Sequence, residues 1–93
     1  MNIYYSELFA DKVKELPQEV RRVLKKKLEL LLESPRHPSL RTKKIRGQDR
    51  IFEASITMEI RMTWEYTEDG ILLRNIGEHD KTLKNPQNVY GKP

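Results

Sequence analysis

Arg61, His79, Glu53 and Glu59 are the side chains of this sequence with the types needed to break a phosphodiester bond of RNA. Attack by the RNA's own 2′-hydroxyl requires a group that accepts its proton and a group that returns one to the departing oxygen. It also requires positive charge to hold the crowded phosphorane. A histidine with an ordinary pKa of about 6.5 can serve as acid or base at neutral pH. Arg61 and Arg46 can hold the phosphate, and Glu53 or Glu59 can be the second proton-transfer group. Each residue also has a simpler reading. A histidine beside a strand end is an ordinary surface residue, Arg61 beside Glu53 or Glu65 is a cross-strand pair, and Trp64 and Tyr66 are core aromatics as readily as base-stacking ones.

The elements that must bring these residues together are legible in the pattern. From 50 to 56, Phe52, Ala54 and Ile56 alternate with Ile51, Glu53 and Ser55, the period of a strand. After a tight turn at 57–59, Ile60, Met62, Trp64 and Tyr66 alternate with Arg61, Thr63 and Glu65. Pairing through that turn places Glu53, Ser55, Arg61 and Thr63 on one face. Glu68-Asp69-Gly70 is a hairpin turn, and 71–76 is the last strand, expected to end at Gly77 with His79 just beyond it. A short helical turn after Asp80 and a mobile tail over 85–93 are expected.

Upstream, NIYY at 2–5 is a short β-prone segment, and Ser6 can cap a helix that carries Phe9, Val13 and Leu16 on one side. Pro17 suits the first turn of a second helix, whose stripe of Val20, Val23, Leu24, Leu28, Leu31 and Leu32 runs to Glu33 and stops at Ser34-Pro35. With almost no connection between them, the helices form an antiparallel hairpin. PRHP at 35–38 is a loop whose His37 is given no role. Residues 40–46 read as a basic strand. The chain is thus expected to be α+β: an N-terminal strand and a helical hairpin packed on a mainly antiparallel sheet. It forms a single domain over 1–84, with the far sheet face free to work.

Lys and Arg outnumber Asp and Glu by 18 to 14, a small excess whose clustering matters more than its size. Arg36, Arg41, Lys43, Lys44, Arg46 and Arg50 face the single acid Asp49 between 35 and 50. Lys43, Lys44, Arg46 and Arg50 are therefore candidates for contact with a polyanion such as RNA. Arg21 and Lys25, beside Arg22 and Lys26 on the outer face of the second helix, are either a solvated face or further phosphate contacts. Cysteine is absent and two histidines cannot make a zinc cage, so no metal or cofactor is expected. No apolar run reaches the roughly 18 residues of a membrane span, and the start of the chain lacks a signal-peptide pattern, so a cytoplasmic protein is expected.

The order of LKKKLELLLESPR, KKIRG, IRMTWEY and LLRNIGEHDKTL, after a strand and a short helix, resembles the RelE/ParE superfamily of bacterial toxin-antitoxin toxins across residues 1–83. The resemblance implies a microbial-RNase-like fold, ribosome-dependent cleavage of mRNA in the decoding site, and neutralisation by a cognate antitoxin. By that resemblance Arg61 falls on the family's phosphate-stabilising arginine, and Lys43, Lys44 and Arg46 fall on its ribosomal-RNA-facing segment. His79 stands where the RelE branch has a functional arginine, in a Gly-x-His arrangement similar to the YafQ branch, whose histidine is catalytic. Glu53 and Ser55 stand where the RelE branch has two lysines, and its C-terminal tyrosine has no match beside Leu83. An acid/base pair of His79 with Glu53 or Glu59 is the expectation, the choice between the glutamates being open. The rival expectations are a ParE-like poison of gyrase that cuts nothing, and a degenerate member that only binds its antitoxin. The antitoxin is expected to cover the cationic face or to displace the turn near 80–84.

Overall fold

In the computed structural model, which describes residues 2–78, the chain runs β1 (Asn2–Tyr5), α1 (Glu7–Lys14), α2 (Gln18–Glu33), a single 3-10 turn (Pro38–Leu40), β2 (Lys43–Lys44), β3 (Phe52–Ser55), β4 (Ile60–Tyr66) and β5 (Gly70–Glu78). Ser6 is the hinge between strand and helix. Its Oγ accepts from the Phe9 backbone N–H at 3.0 Å and donates to the Arg74 carbonyl at 2.7 Å, so one hydroxyl caps α1 and ties it to β5. Pro17 stands just outside α2 at its N-cap position, in extended conformation, one residue earlier than the sequence suggests.

The strands form one five-stranded sheet in the order β1-β5-β4-β3-β2. β1 lies parallel to β5 and the other pairs are antiparallel. Both helices pack on one face of this α+β arrangement. Phe9, Leu24 and Leu31 meet Phe52, Ala54, Met62, Trp64, Ile71, Leu73 and Ile76 in a single core. Alternation alone cannot put Leu73 and Ile76 on the same face. The register slips between Thr63 and Trp64, which face Asn75 and Leu73 respectively, so Arg74 is the extra residue of a β-bulge. The bulge returns Ile76 to the core and turns Asn75 to the far face beside Thr63.

Two expectations about strands need correction. Residues 40–46 are not one strand. Leu40 is fully buried in the core at the end of the 3-10 turn, Arg41 takes a left-handed conformation (φ 50), and only Lys43 and Lys44 pair with β3. Burying Leu40 and reversing at Arg41 break the extended run. His37 has a local task, its Nδ1 accepting from the Ser39 backbone N–H at 3.1 Å. Nor does Gly77 end the last strand, since it faces Arg61 in register and β5 continues to Glu78. His79, the expected turn after Asp80 and the expected tail over 85–93 lie outside the described residues.

β1 is a short edge strand, and a polar clamp fixes its start. Asp69, in the β4–β5 turn, accepts from Asn2 Nδ2 at 2.9 Å and Tyr4 Oη at 2.8 Å, and its carbonyl accepts from the Asn2 backbone N–H at 3.0 Å. The side-chain bonds from Asn2 and then Tyr4 hold the Asp69 carboxyl below its ordinary value, and the bond to Asp69 raises the Tyr4 phenol. A lowered carboxyl contributes stability that is present above the unfolded aspartate value of about 3.9 and lost as pH falls through the folded one. A raised phenol contributes below about pH 10 and loses it as pH rises. Asp69→Ala is therefore expected to lower the melting temperature near neutrality. Thermal melts across pH should show the gap from the native chain closing below about pH 4. A gap that stays constant into acid would rule out the clamp as its source.

Candidate active site

The sheet's far face, away from the helices, is organised by register. Lys43, Glu53, Thr63 and Asn75 stand in one row across β2, β3, β4 and β5, and Ser55, Arg61 and Gly77 stand in the next. The centre of this face is not open. Glu53 is 2% exposed, Thr63 0% and Asn75 6%. The expectation of a free face is thus corrected: its middle is a buried polar row, and Ile51, on the same side of the strand as Glu53, is buried against Ile45.

Arg61 and Glu53 are brought together. Glu53 Oε1 lies 3.7 Å from Arg61 Nε and 3.8 Å from Lys43 Nζ, so one carboxylate oxygen serves two cations. At these separations the contacts are ion pairs rather than hydrogen bonds. The guanidinium is anchored from its other end. Arg61 Nη1 donates to the carbonyls of Thr57 at 2.6 Å and Met58 at 2.8 Å, with a longer contact to Ile60 at 3.3 Å. The 57–59 turn is itself pinned, Thr57 Oγ1 accepting from the backbone N–H groups of Glu59 and Ile60. A carboxylate on one side and a row of carbonyls on the other hold the cation in a fixed pose, as electrostatic stabilisation of a phosphorane requires.

Glu53 retains an unused acceptor. Its Oε2 is buried with no hydrogen-bond partner among the described residues, and the Thr63 hydroxyl is in the same condition. Trp64 Nε1, in the core, is in the same condition, so an unpartnered atom does not by itself mark a reaction; what it gives Glu53 is a carboxylate oxygen available to a ligand's donor. Glu59, by contrast, is exposed in the turn, and the ion pairs of the face run to Glu53. Glu65, the other glutamate weighed for Arg61, pairs with Arg74 at 2.5 Å.

The remaining sites are dispersed. Arg46 and Arg50 are exposed in the β2–β3 loop, which the Ile45 N–H to Ile51 carbonyl bond of 2.9 Å closes at its base. Lys43 and Lys44 do not act as one patch: Lys43 faces Glu53 and Lys44 faces Phe52, so their side chains leave opposite faces of the sheet. Arg21 and Lys25 rim an apolar groove with Ile3, Leu28 and Leu32 on the helical side, across the sheet from Arg61. Thr63 was legible as a polar position on the far face but not as a buried one, and Asn75 reaches that face only through the bulge. Among the described residues no cluster of acids and histidines could hold a metal ion.

No family model matches the chain, and no curated protein matches it in sequence. Solved structures do match in fold. A chain of the RelB-RelE antitoxin-toxin complex from Methanococcus jannaschii superposes with a TM-score of 0.71 at 20% identity, covering 84% of this chain and 92% of that one. YafQ from E. coli strain BL21(DE3) gives 0.72 at 16%, covering 86% and 94%. A mutant of the E. coli toxin RelE in the free state gives 0.66 at 23%, covering 85% and 83%. The chain has the RelE-like toxin fold.

Proposed function

We propose that this protein is the toxin of a toxin-antitoxin pair and that it cleaves mRNA on the ribosome. The observation that carries the reading is Arg61, held between the Glu53 carboxylate and the carbonyls of the 57–59 turn beside the end of β5. The chain enters His79 directly after Glu78, the last residue of β5. In the proposed reaction binding of the message opens the face over Glu53, and the 2′-hydroxyl of one nucleotide loses its proton to that carboxylate and attacks the adjacent phosphorus. Arg61 neutralises the charge on the phosphorane oxygens. The bond to the 5′-oxygen of the next nucleotide breaks as His79 donates a proton to it, leaving a 2′,3′-cyclic phosphate and a free 5′-hydroxyl. Lys43, 3.8 Å from Glu53, extends positive charge towards the sheet edge. Lys44, Arg46 and Arg50 supply contacts to ribosomal RNA, and Arg21 and Lys25 more distant ones.

The partners follow from the same reading. Structures with this fold include the E. coli RelBE and DinJ-YafQ toxin-antitoxin complexes, and a cognate antitoxin is assigned to this chain by that likeness. So few acid/base groups fit a reaction in which the ribosome positions the message. Among the described residues no helix is long and apolar enough to cross a membrane, and the place of action is the cytoplasm, with the ribosome.

The test is a purified translation system with primer-extension mapping of the message. The native chain is compared with His79→Ala, and a message carrying 2′-deoxyribose at the cut site probes the nucleophile. Cleavage by the native chain alone, on the ribose message alone, supports the assignment. Continued translation with no cut, accompanied by failure of DNA supercoiling by gyrase, replaces it with the ParE-like reading.

The two glutamates separate in the same assay. Glu53→Gln keeps the shape and one acceptor but cannot take a proton, so cleavage is expected to fall by roughly 10²–10⁴-fold. Glu59→Gln is expected to cut as the native chain does. The reverse pattern would transfer the base to Glu59.

A further inference from the structure

The helical side of the sheet carries, at its β2–β3 edge, a group of aromatic and basic side chains that the cleavage chemistry does not use. Phe52 and Trp64 stack with centroids 4.8 Å apart and planes 23° from parallel. Tyr66 stands at the side of that stack, nearly perpendicular to both rings, 5.7 Å from Phe52 and 5.0 Å from Trp64. The Arg36 guanidinium lies over the Phe52 ring at 5.8 Å, within the range of a cation–π contact. Lys44 flanks Phe52 in register.

Packing explains Phe52 and Trp64, which are 8% and 0% exposed. It does not explain Tyr66, which keeps 46% of its surface in water. Nor does it explain the two cations. Among the described residues neither Arg36 nor Lys44 forms an ion pair, and both are exposed. An aromatic ring seated edge-on at the side of a buried stack, with cations that form no ion pair among the described residues around the same neighbour, has the composition that binds single-stranded nucleic acid. The ring offers a face to a base, the cations take the phosphates, and no base-specific donor is needed.

We infer that Tyr66, Arg36 and Lys44 form a stacking site for one unpaired nucleotide of single-stranded RNA, separate from the cleavage face. The inference rests on the RNase reading and extends it. β2 is the link between the two sites, because its adjacent lysines leave opposite faces: Lys43 pairs with Glu53 on the cutting side and Lys44 stands in register with Phe52 on the stacking side. RNA crossing this edge strand contacts both.

The test measures affinity without cleavage. A short fluorescein-labelled single-stranded RNA with 2′-O-methyl riboses, which has no free nucleophile, is titrated with the intact chain. Anisotropy and the emission of Trp64, the sole tryptophan, are followed together. Tyr66→Ala is expected to weaken binding by roughly 5- to 150-fold, the effect of losing one base stack. Tyr66→Phe should bind as the native chain does. Arg36→Ala should weaken binding and reduce the salt dependence by about 0.7 in the log–log slope, one phosphate contact to a single strand. Melting temperatures of the variants identify any loss due to unfolding.

Native affinity in folded Tyr66→Ala overturns the inference. So does an equal loss in Tyr66→Phe, which would assign the effect to the hydroxyl, and so does an affinity unchanged for RNA but lowered for a protein partner. If the native chain cuts ribosome-bound message while Tyr66→Ala binds and cuts normally, the stacking site fails and the RNase reading stands. If RNA binding depends on the Tyr66 ring but nothing is cut, the stacking site stands and the RNase reading fails. A native chain that binds no RNA ends both.

Discussion

Replacing Arg61 by Lys is expected to lower cleavage of ribosome-bound message by roughly 10²–10³-fold, the usual loss when one preorganised donor to a developing anion is removed. The chain should stay folded. The lysine keeps a positive charge against Glu53, whose Oε1 lies 3.7 Å from the native Nε. It cannot also present a planar fork to a phosphate while donating to the carbonyls of Thr57 and Met58. Arg61→Ala should remove activity as completely but for a compound reason. It leaves the buried Glu53 carboxylate with only Lys43, and breaking a buried pair in this way costs about 3–5 kcal/mol. The two effects separate in a double-mutant cycle. In a Glu53→Gln background the stability cost of Arg61→Ala should shrink, because no charge is left to strand, while cleavage stays lost. Melting temperatures and primer-extension yields of the four chains decide it. Full cleavage by folded Arg61→Lys would remove the phosphate-holding role.

How much of this could be read beforehand depends on the range of the interaction. The three- and four-residue spacing of Val20, Leu24, Leu28 and Leu31 and the strict alternation of Ile60 to Tyr66 are local signals, and both elements form as read. The meeting of Glu53 and Arg61 is also nearly local, since a tight turn at 57–59 fixes the register that joins them. Other features are set by partners far along the chain. Leu40 leaves the strand pattern because the core has room for it, and no neighbour in sequence signals that. The apolar residues 71, 73 and 76 carry the bulge in their change of spacing from two to three, yet only pairing with β4 shows that Arg74 is the extra residue. Alternation assigned Glu53 to the far face but could not say that the face is closed over it, because burial sums contributions from several strands and a loop. The opposite facing of Lys43 and Lys44 was available from adjacency alone, and it divides what charge counting had merged.

Gly70→Ala is expected to destabilise the fold by about 3 kcal/mol, at the upper end of the usual cost of forcing a methyl into packed structure. At 4–8 °C per kcal/mol for a domain of this size, that is roughly 12–24 °C in melting temperature. The cause is steric and sits in the backbone. A Cβ on Gly70 would lie 1.8 Å from the Asn2 carbonyl oxygen and 2.6 Å from its carbon, on the parallel register partner that begins β1. No side chain can swing aside to relieve this, so β1 must move. Moving it breaks the Asn2 N–H bond to the Asp69 carbonyl, strains the bond from the Ser6 N–H to the Leu73 carbonyl, and withdraws Ile3 from the core. Amide exchange should then show Ile3 to Tyr5 losing protection while β3 and β4 keep theirs. Gly47 supplies the contrast. A Cβ there meets nothing within 4 Å, but the residue sits at φ 82, so the cost of alanine is conformational, about 1–2 kcal/mol. Asparagine tolerates that region better than alanine, so Gly47→Asn should recover part of the loss, whereas Gly70→Asn should recover none. Recovery at both positions would mean that backbone conformation, not the approach of Asn2, makes glycine necessary at 70.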